Sequence, residues 1–195
     1  MENVRGCKAK LRAAALALRA SAAAETASAV PVSALAVIGC GRRPRLRNVD
    51  DVFADADVIA GYLALPGEAD PLPLMKMCAD AGKEVVVPAW SRMTRRYSFC
   101  RWTPGIKLAA GPMRVPEPEY KTWMPSSRVD LVIVPGLVFG KDGTRIGFGG
   151  GHYDRLLSRC SAAAVKAGFA FRNQISGAKL PSEPHDITMD LLIIR

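Results

Sequence analysis

The residues best suited to chemistry lie in one stretch, Asp130 to Arg155, which reads DLVIVPGLVFGKDGTRIGFGGGHYDR. Gly147, Gly149, Gly150 and Gly151 fall close together, with Arg145 ahead of them and Asp154 behind. Leu131 to Val134, closed by Pro135-Gly136, reads as a buried strand running into a loop. Tyr153, Leu156, Leu157 and Cys160 recur with the period of a one-sided helix. The unit is therefore strand, glycine-rich loop, helix start. Free N–H groups at a helix start suit an anion, and glycines let the backbone approach it. Glycines alone favour a flexible turn; Arg145 and Asp154 tip the reading toward a nucleotide-phosphate site.

The elements that must position this unit follow from the rest of the chain. At 195 residues, 49% of them hydrophobic, it is expected to form one domain, residues 1–195, with a substantial core. The formal charge of +9 fits a nucleic-acid binder or an enzyme with anionic substrates. No nucleic-acid module is recognisable, which favours the enzyme. Five cysteines without a C-x-x-C pattern read as small apolar residues in a reducing compartment, and two histidines exclude a His-rich metal centre. Arg12 and Arg19 interrupt the Ala-rich start, against a signal peptide, and Ala29 to Gly39 is too short to span a bilayer. A cytoplasmic location is expected.

Residues 7–24 read as a helix with Leu11, Ala15 and Leu18 on one face and Lys8 and Arg12 one turn apart. That pair is either a solvated basic stripe or reaches an anion from outside the main sheet. Residues 34–39 are a strand or a helix end, and 41–48 a basic loop. Val58 to Leu63 reads as a strand, and Asp70-Pro71 as the start of a helix ending at Gly82. Glu68 stands between them, either a solvated loop glutamate or a ligand contact at the edge where open α/β sheets bind ligands. Glu84 to Pro88 is the next strand. Ser91 to Trp102 is either a base-stacking basic–aromatic run or a hairpin that buries Phe99 and Trp102. Residues 114–118 read as a Pro-stiffened loop without secondary structure. Val165 to Phe171 and Leu191 to Ile194 complete the strands. This alternation predicts an α/β fold, a largely parallel sheet covered on both faces.

The chain resembles the 5-formyltetrahydrofolate cyclo-ligase family. The resemblance is carried by Lys8…Leu11-Arg12, by Tyr62 with Glu68-x-Asp70-Pro71, and by Phe99-x-x-Trp102-x-Pro104-Gly105. Val115-Pro116-Glu117-Pro118 and Asp130-Leu131 with Pro135-Gly136-Leu137 follow. The most specific block is Arg145-Ile146-Gly147-x-Gly149-Gly150-Gly151-His152-Tyr153-Asp154-Arg155; Ala170-Phe171-x-x-Gln174 and Pro184-His185-Asp186-x-x-x-Asp190 close the chain.

The resemblance implies a three-layer α/β/α fold of the NagB/RpiA/CoA transferase-like kind, with the N-terminal helix packing on the central sheet. It implies that 5-formyltetrahydrofolate is cyclised to 5,10-methenyltetrahydrofolate with ATP and Mg²⁺. The γ-phosphoryl group passes to the formyl oxygen, N10 attacks the formyl carbon, and phosphate leaves; positioning and charge stabilisation do most of the catalysis. Lys8, Arg12, Arg145, Ile146, Gly147, Phe148, Gly149, Gly150, Gly151, His152 and Tyr153 would bind ATP, with Arg145, Gly149 and Gly150 acting during the transfer. Tyr62, Leu63, Glu68, Trp102, Phe148 and His152 would line the folate pocket, and Asp154 and Asp186 would hold the metal. Asp190 shares the motif and alternatively orders the last strand. Small molecules, not nucleic acid or membrane, would be the partners of a monomer. The chain departs from the family pattern at His152, where Tyr or Phe is common, at Gly150, where some members have Lys, and at Cys100-Arg101, where the basic residue is displaced. A folate-binding regulatory relative without turnover, or a basic RNA-associated protein, are the other two readings.

Overall fold

The computed structural model describes residues 3–22, 34–41 and 48–195. Leu18's apolar position, the end of the first helix beyond Ala22 and most of the basic 41–48 loop lie outside what it describes. The helices are α1 (Val4–Ala22), α2 (Val49–Ala54), α3 (Leu72–Asp80) and α4 (His152–Leu157). The first strands are β1 (Ala36–Gly39), β2 (Val58–Ala60), β3 (Glu84–Ser91), β4 (Arg96–Trp102), β5 (Leu108–Ala110), β6 (Pro116–Pro118) and β7 (Trp123–Met124). The second half adds β8 (Leu131–Val134), β9 (Val138–Gly140), β10 (Arg145–Ile146), β11 (Val165–Ala170), β12 (Ile175–Ser176) and β13 (Leu191–Ile194).

Eight strands form the central sheet in the order β1-β13-β11-β8-β2-β3-β4-β7. The five middle strands, β13 to β3, are mutually parallel, while β1 pairs antiparallel at one edge and β4 and β7 at the other. The parallel strands are runs such as LVIV and LLII, buried at every position because both faces are covered. Alternate residues enter two cores. Ile59, Val85, Leu131, Ile133 and Leu191 face α2 and α3, whereas Val86, Val132, Val134 and Leu192 face α4 with Phe139 and Met189.

Several local expectations shift. Residues 36–39 are strand. Asp70 does not cap the next helix from the position before Pro71; it accepts Leu72 N–H at 3.0 Å, and Pro71 occupies the cap. The run from Ser91 is a hairpin, with Phe99 and Trp102 buried. Residues 114–118 are not free of secondary structure, because β6 pairs with β5 antiparallel. Pro is tolerated there because the two-stranded ribbon is all edge. Helices are fewer than the alternation suggested, and α1 makes its main contacts with β9 and β10 rather than with the large sheet. No apolar side chain described in α1 is buried; among its described residues only Lys8 is.

Candidate active site

From β2 the chain passes to β3 on one side, and from β8 it passes to β11 and β13 on the other. The boundary between β2 and β8 is thus a topological switch point, and their carboxyl ends diverge to leave a crevice. A cavity of about 630 Å³ opens there, reached by Tyr62, Leu63 and Leu65 after β2, Pro88 late in β3, and Pro135 after β8.

The glycine-rich segment forms one wall. β8 does not lead directly into it; β9 and β10 form an intervening hairpin, Arg145 opposite Phe139. Asp142 closes its turn by accepting from Thr144 N–H at 3.1 Å and Thr144 Oγ1 at 2.6 Å. Phe139 is fully buried and fills the space beside Gly136 and Gly168, where an added Cβ would stand 2.6 Å from its ring. Gly147 to Gly151 then run along the cavity into α4. Gly149 has φ +96°, a conformation L side chains rarely adopt, and a Cβ there would approach the Arg12 guanidinium carbon at 3.2 Å. α4 has only six residues, so the backbone amides of the loop, more than a helix dipole, are the resource this wall offers.

Cations reach the cavity from two directions. Arg145 pairs with Asp154 (Nη2 to Oδ1, 3.0 Å), and its buried Nε has no hydrogen-bond partner. Asp154 Oδ1 also accepts Ile187 N–H at 3.1 Å, which ties the 183–187 loop to α4. The basic stripe of α1 is not solvated. Arg12 Nε donates to Gly147 O at 3.0 Å, and Lys8, 4% exposed, donates to Glu183 at 2.9 Å and to Asp186. Arg5 also meets Glu183 at 3.2 Å, and Arg19 donates to Pro66 O at 3.0 Å. α1 is therefore held across the cavity by its cations. Burial alone would lower the Lys8 pKa, but hydrogen bonds to Asp186 and Glu183 raise it above 10.5. Asp186 is lowered despite burial by the Lys8 hydrogen bond and the Glu183 N–H, and Glu183 by hydrogen bonds from Lys8 and Arg5.

At the opposite wall Glu68 is mostly buried. It accepts Leu65 N–H at 2.8 Å and lies 3.5 Å from Arg19. Burial raises its pKa; the Leu65 N–H and Arg19 oppose the shift without cancelling it. Tyr62 donates to Ala69 O, and burial with the nearby Glu68 charge keeps it a phenol. Tyr153 is likewise pushed up by burial, and Arg145 lies 5.7 Å over its ring. Phe148 is exposed under the Arg19 guanidinium, 5.3 Å from its ring centre. His152 stands edge-on to Tyr97 (5.2 Å); burial and Arg155 lower its pKa below 6.5, leaving a neutral imidazole at pH 7.

Of the residues singled out from sequence, Lys8, Arg12, Tyr62, Leu63, Glu68, Arg145, Gly147 to Asp154 and Asp186 line this one cavity. Ile146 and Trp102 do not. Ile146 is buried in the core, so only its backbone is available to a ligand. Trp102 pairs with Val85 at the start of β3, whereas Tyr97 pairs with Trp90 near its end. Five residues along a strand is about 16 Å, so antiparallel β4 brings Tyr97, not Trp102, to the cavity. Asp190 does not reach it either; it accepts Lys166 N–H at 2.8 Å and orders β13. Sequence reasoning passed over Arg19, Tyr97, Met113 and the role of Glu183. Arg19 alone left a signal, since residues 5, 8, 12 and 19 share one helical face.

Glu183, His185 and Asp186 place ligand atoms within 4.8 Å of one another, with Lys8 among them. Their carboxylates, and that of Asp154 one hydrogen bond away through Ile187, have the oxygen chemistry a Mg²⁺ ion selects. The group the structure brings together is Glu183, His185 and Asp186; Asp154 is not one of its members.

Fold and cavity together define an α/β protein with a cavity at the switch point of a parallel sheet, lined by Lys8, Arg12 and Arg145. The model of the 5-formyltetrahydrofolate cyclo-ligase family matches residues 6–195, and the chain belongs to that family. It is 31% identical over 142 residues to the 5-formyltetrahydrofolate cyclo-ligase of Escherichia coli (strain K12), covering 71% of this chain and 78% of that protein. The Mus musculus enzyme of the same name is 25% identical over 153 residues, 71% of this chain and 73% of its own length. The solution structure of Aquifex aeolicus 5,10-methenyltetrahydrofolate synthetase superposes with a TM-score of 0.69 at 27% identity, covering 96% of this chain and 89% of that one. A Mycoplasma pneumoniae 5,10-methenyltetrahydrofolate synthetase superposes at 0.62 over 96% of each chain, and at 20% identity supports the fold alone. Among the described residues no helix is long and apolar enough to cross a membrane.

Proposed function

We propose that the protein is a cytoplasmic enzyme that cyclises 5-formyltetrahydrofolate to 5,10-methenyltetrahydrofolate, converting ATP to ADP and phosphate with Mg²⁺. Family membership gives the reaction. The observation that supports this cavity as its place is the meeting, in one crevice, of Lys8, Arg12 and Arg145 with Tyr62 and Glu68.

Each wall then has a task. The pterin ring, rich in N–H donors, lies toward Glu68, where a buried carboxylate accepts from it. The triphosphate lies along Gly147 to Gly151, whose amides together with Arg12 and Arg145 offset its charge. Arg145, held by Asp154, places its positive charge beside the transferring phosphoryl group. The formyl oxygen is a poor leaving group until phosphorylated; Arg145 and the loop amides orient donor and acceptor in line. N10 then attacks the formyl carbon and phosphate departs. Asp154 and Asp186 would hold a Mg²⁺ ion, which would supply charge neutralisation at the phosphates. Lys8, hydrogen-bonded to Glu183 and Asp186, lies where it can also offer a donor to phosphate oxygens.

Purified protein given 5-formyltetrahydrofolate, ATP and Mg²⁺ should generate the near-ultraviolet absorbance of the methenyl product in step with ADP. Folate binding without ADP release would instead identify a relative that keeps the pocket and lacks turnover.

A further inference from the structure

Arg19 is the basic residue in the last turn of α1. It does not line the cavity; Glu68, which it meets, does. Its Nε and Nη2 both donate to Pro66 O, Nε at 3.0 Å, and its Nη1 lies 3.5 Å from Glu68 Oε1. The side chain is clamped from two sides. Gly67, at φ +76°, lies so close that a Cβ there would stand 2.8 Å from Arg19 Cγ and 2.9 Å from Nε. Phe148 of the glycine loop lies on the other side, its ring centre 5.3 Å from the guanidinium carbon. The side chains of Arg19 and Glu68 are 15% and 8% exposed, so solvent screens this pair far less than a surface salt bridge.

Burial penalises an ionised carboxyl, and a carboxyl that takes up a proton gains a donor where a pterin also presents donors. Leu65 N–H holds Oε2 at 2.8 Å and Arg19 stands on the Oε1 side, so the carboxyl is fixed at both oxygens while each keeps a lone pair for a ligand. Charged and titratable groups face Glu68 from three elements: Arg19 from α1, Tyr62 from the segment after β2, and Tyr153 from α4. Burial keeps both phenols neutral, and Asp70 bears on Tyr62 rather than on Glu68. Among the described residues Arg19 is thus the charge that favours the carboxylate. We propose that Arg19 is a positioning residue: without touching the folate, it keeps Glu68 ionised and turned into the cavity to accept the N–H groups of the pterin. Two of its donor groups are committed to Pro66 O, so ATP binding is indifferent to it. This inference rests on Glu68 being the pterin contact.

The test is calorimetric binding of 5-formyltetrahydrofolate to Arg19→Met, to Arg19→Lys, and to Glu68→Gln with and without Arg19→Met, each compared with the parent at about pH 6 and about pH 8.5. Arg5, Lys8 and Arg12 still fasten α1 in these variants, and an unchanged circular dichroism spectrum confirms folding. Arg19→Met should weaken binding at least about tenfold at the lower pH and about threefold or less at the higher, because without the guanidinium the carboxyl takes up its proton at a higher pH. Arg19→Lys keeps the charge and loses the fork, so any loss should be the same at both pH values. With Glu68→Gln nothing at this position ionises, and adding Arg19→Met should cost the same at both. An equal loss at the two pH values in Arg19→Met overturns the proposal and leaves Arg19 a fastening of α1. So does a pH-dependent loss that persists beside Glu68→Gln, or one as large in Arg19→Lys. Turnover with ATP is measured alongside. A parent that binds and turns over, with a pH-independent effect of Arg19, rejects the positioning role and keeps the enzyme. The expected pH-dependent binding without turnover supports the positioning role and rejects the enzyme. A parent that binds no folate at either pH overturns both.

Discussion

Lys8 and Asp186, 178 residues apart, share an ion pair in the floor of the cavity, and the same ammonium reaches Glu183 at 2.9 Å. The first helix is thereby fastened to the loop before the last strand at the point where nucleotide phosphates and a metal would enter. Removing the ammonium leaves two carboxylates facing each other and takes a cation from the phosphates. Lys8→Met should lower kcat/KM for Mg-ATP by about 10- to 100-fold, the worth of one or two charge-assisted hydrogen bonds. Steady-state kinetics with ATP varied would show it; an unchanged kcat/KM would mean Lys8 only fastens α1.

The same pair gives α1 a defined pH range. Asp186 and Glu183 have depressed pKa values, so their contribution is present above 3.8 and 4.5 respectively and is lost as pH falls through the lower folded values. Lys8 has a raised pKa, so its contribution is complete below 10.5 and is lost as pH rises through the higher folded value. Hydrogen exchange or limited proteolysis across pH should find α1 protected through the neutral range and released first at both extremes. Release near pH 7, with the rest of the fold intact, would contradict the pairing.

Asp154→Asn keeps an oxygen for Ile187 N–H and removes the charge facing Arg145, a pair whose side chains are 6% and 18% exposed. Loss of the partner of a largely buried arginine should cost about 2–4 kcal/mol of stability. Mg-ATP turnover should fall by at least about 100-fold, the scale of losing one transition-state charge contact, with folate binding kept within a few fold. Thermal melts, kinetics and folate titration separate the three effects; equal loss of folate and ATP binding would argue against a phosphate-side role.

Glu68 has a raised pKa, so its ionised form is held at a cost present above the folded pKa and relieved as pH falls through it. Glu68→Gln removes that cost and keeps an acceptor for Leu65 N–H. The variant should melt no lower than the parent at pH 7 while binding folate at least about tenfold more weakly, the scale of one charged hydrogen bond. ATP affinity should be unchanged. Weakened ATP binding with intact folate binding would place the two substrates the other way round.

Burial and Arg155 depress the His152 pKa below 6.5, so the neutral imidazole prevails above that pH. His152→Phe should keep kcat within about threefold above pH 6.5, since a neutral ring is exchanged for a neutral ring. A rate–pH profile that loses an inflection near neutrality in the variant would show that His152 titrates during turnover.

Much of this site was legible because it is local. The apolar runs 131–134 and 191–194 are buried strands, Gly82 follows the end of α3 with φ +77°, and the glycine-rich segment lines the cavity. What sequence hid depends on pairing at a distance. Trp102 and Tyr97 sit in one strand, and only the antiparallel register of β4 on β3 decides which reaches the cavity. Lys8 and Arg12 look like a solvated stripe until the acids at 183 and 186 and the Gly147 carbonyl are brought beneath them. The β9–β10 hairpin hid within what read as one loop because its strands are three and two residues long.

The central claim is that the γ-phosphoryl group is transferred to the formyl oxygen beside Arg145 and the glycine loop. Turnover of substrate carrying ¹⁸O in the formyl group, followed by mass analysis of the released phosphate, tests it most directly. The expected result is one ¹⁸O in the phosphate for each methenyl product formed. Unlabelled phosphate, with the ¹⁸O recovered in water, would contradict it.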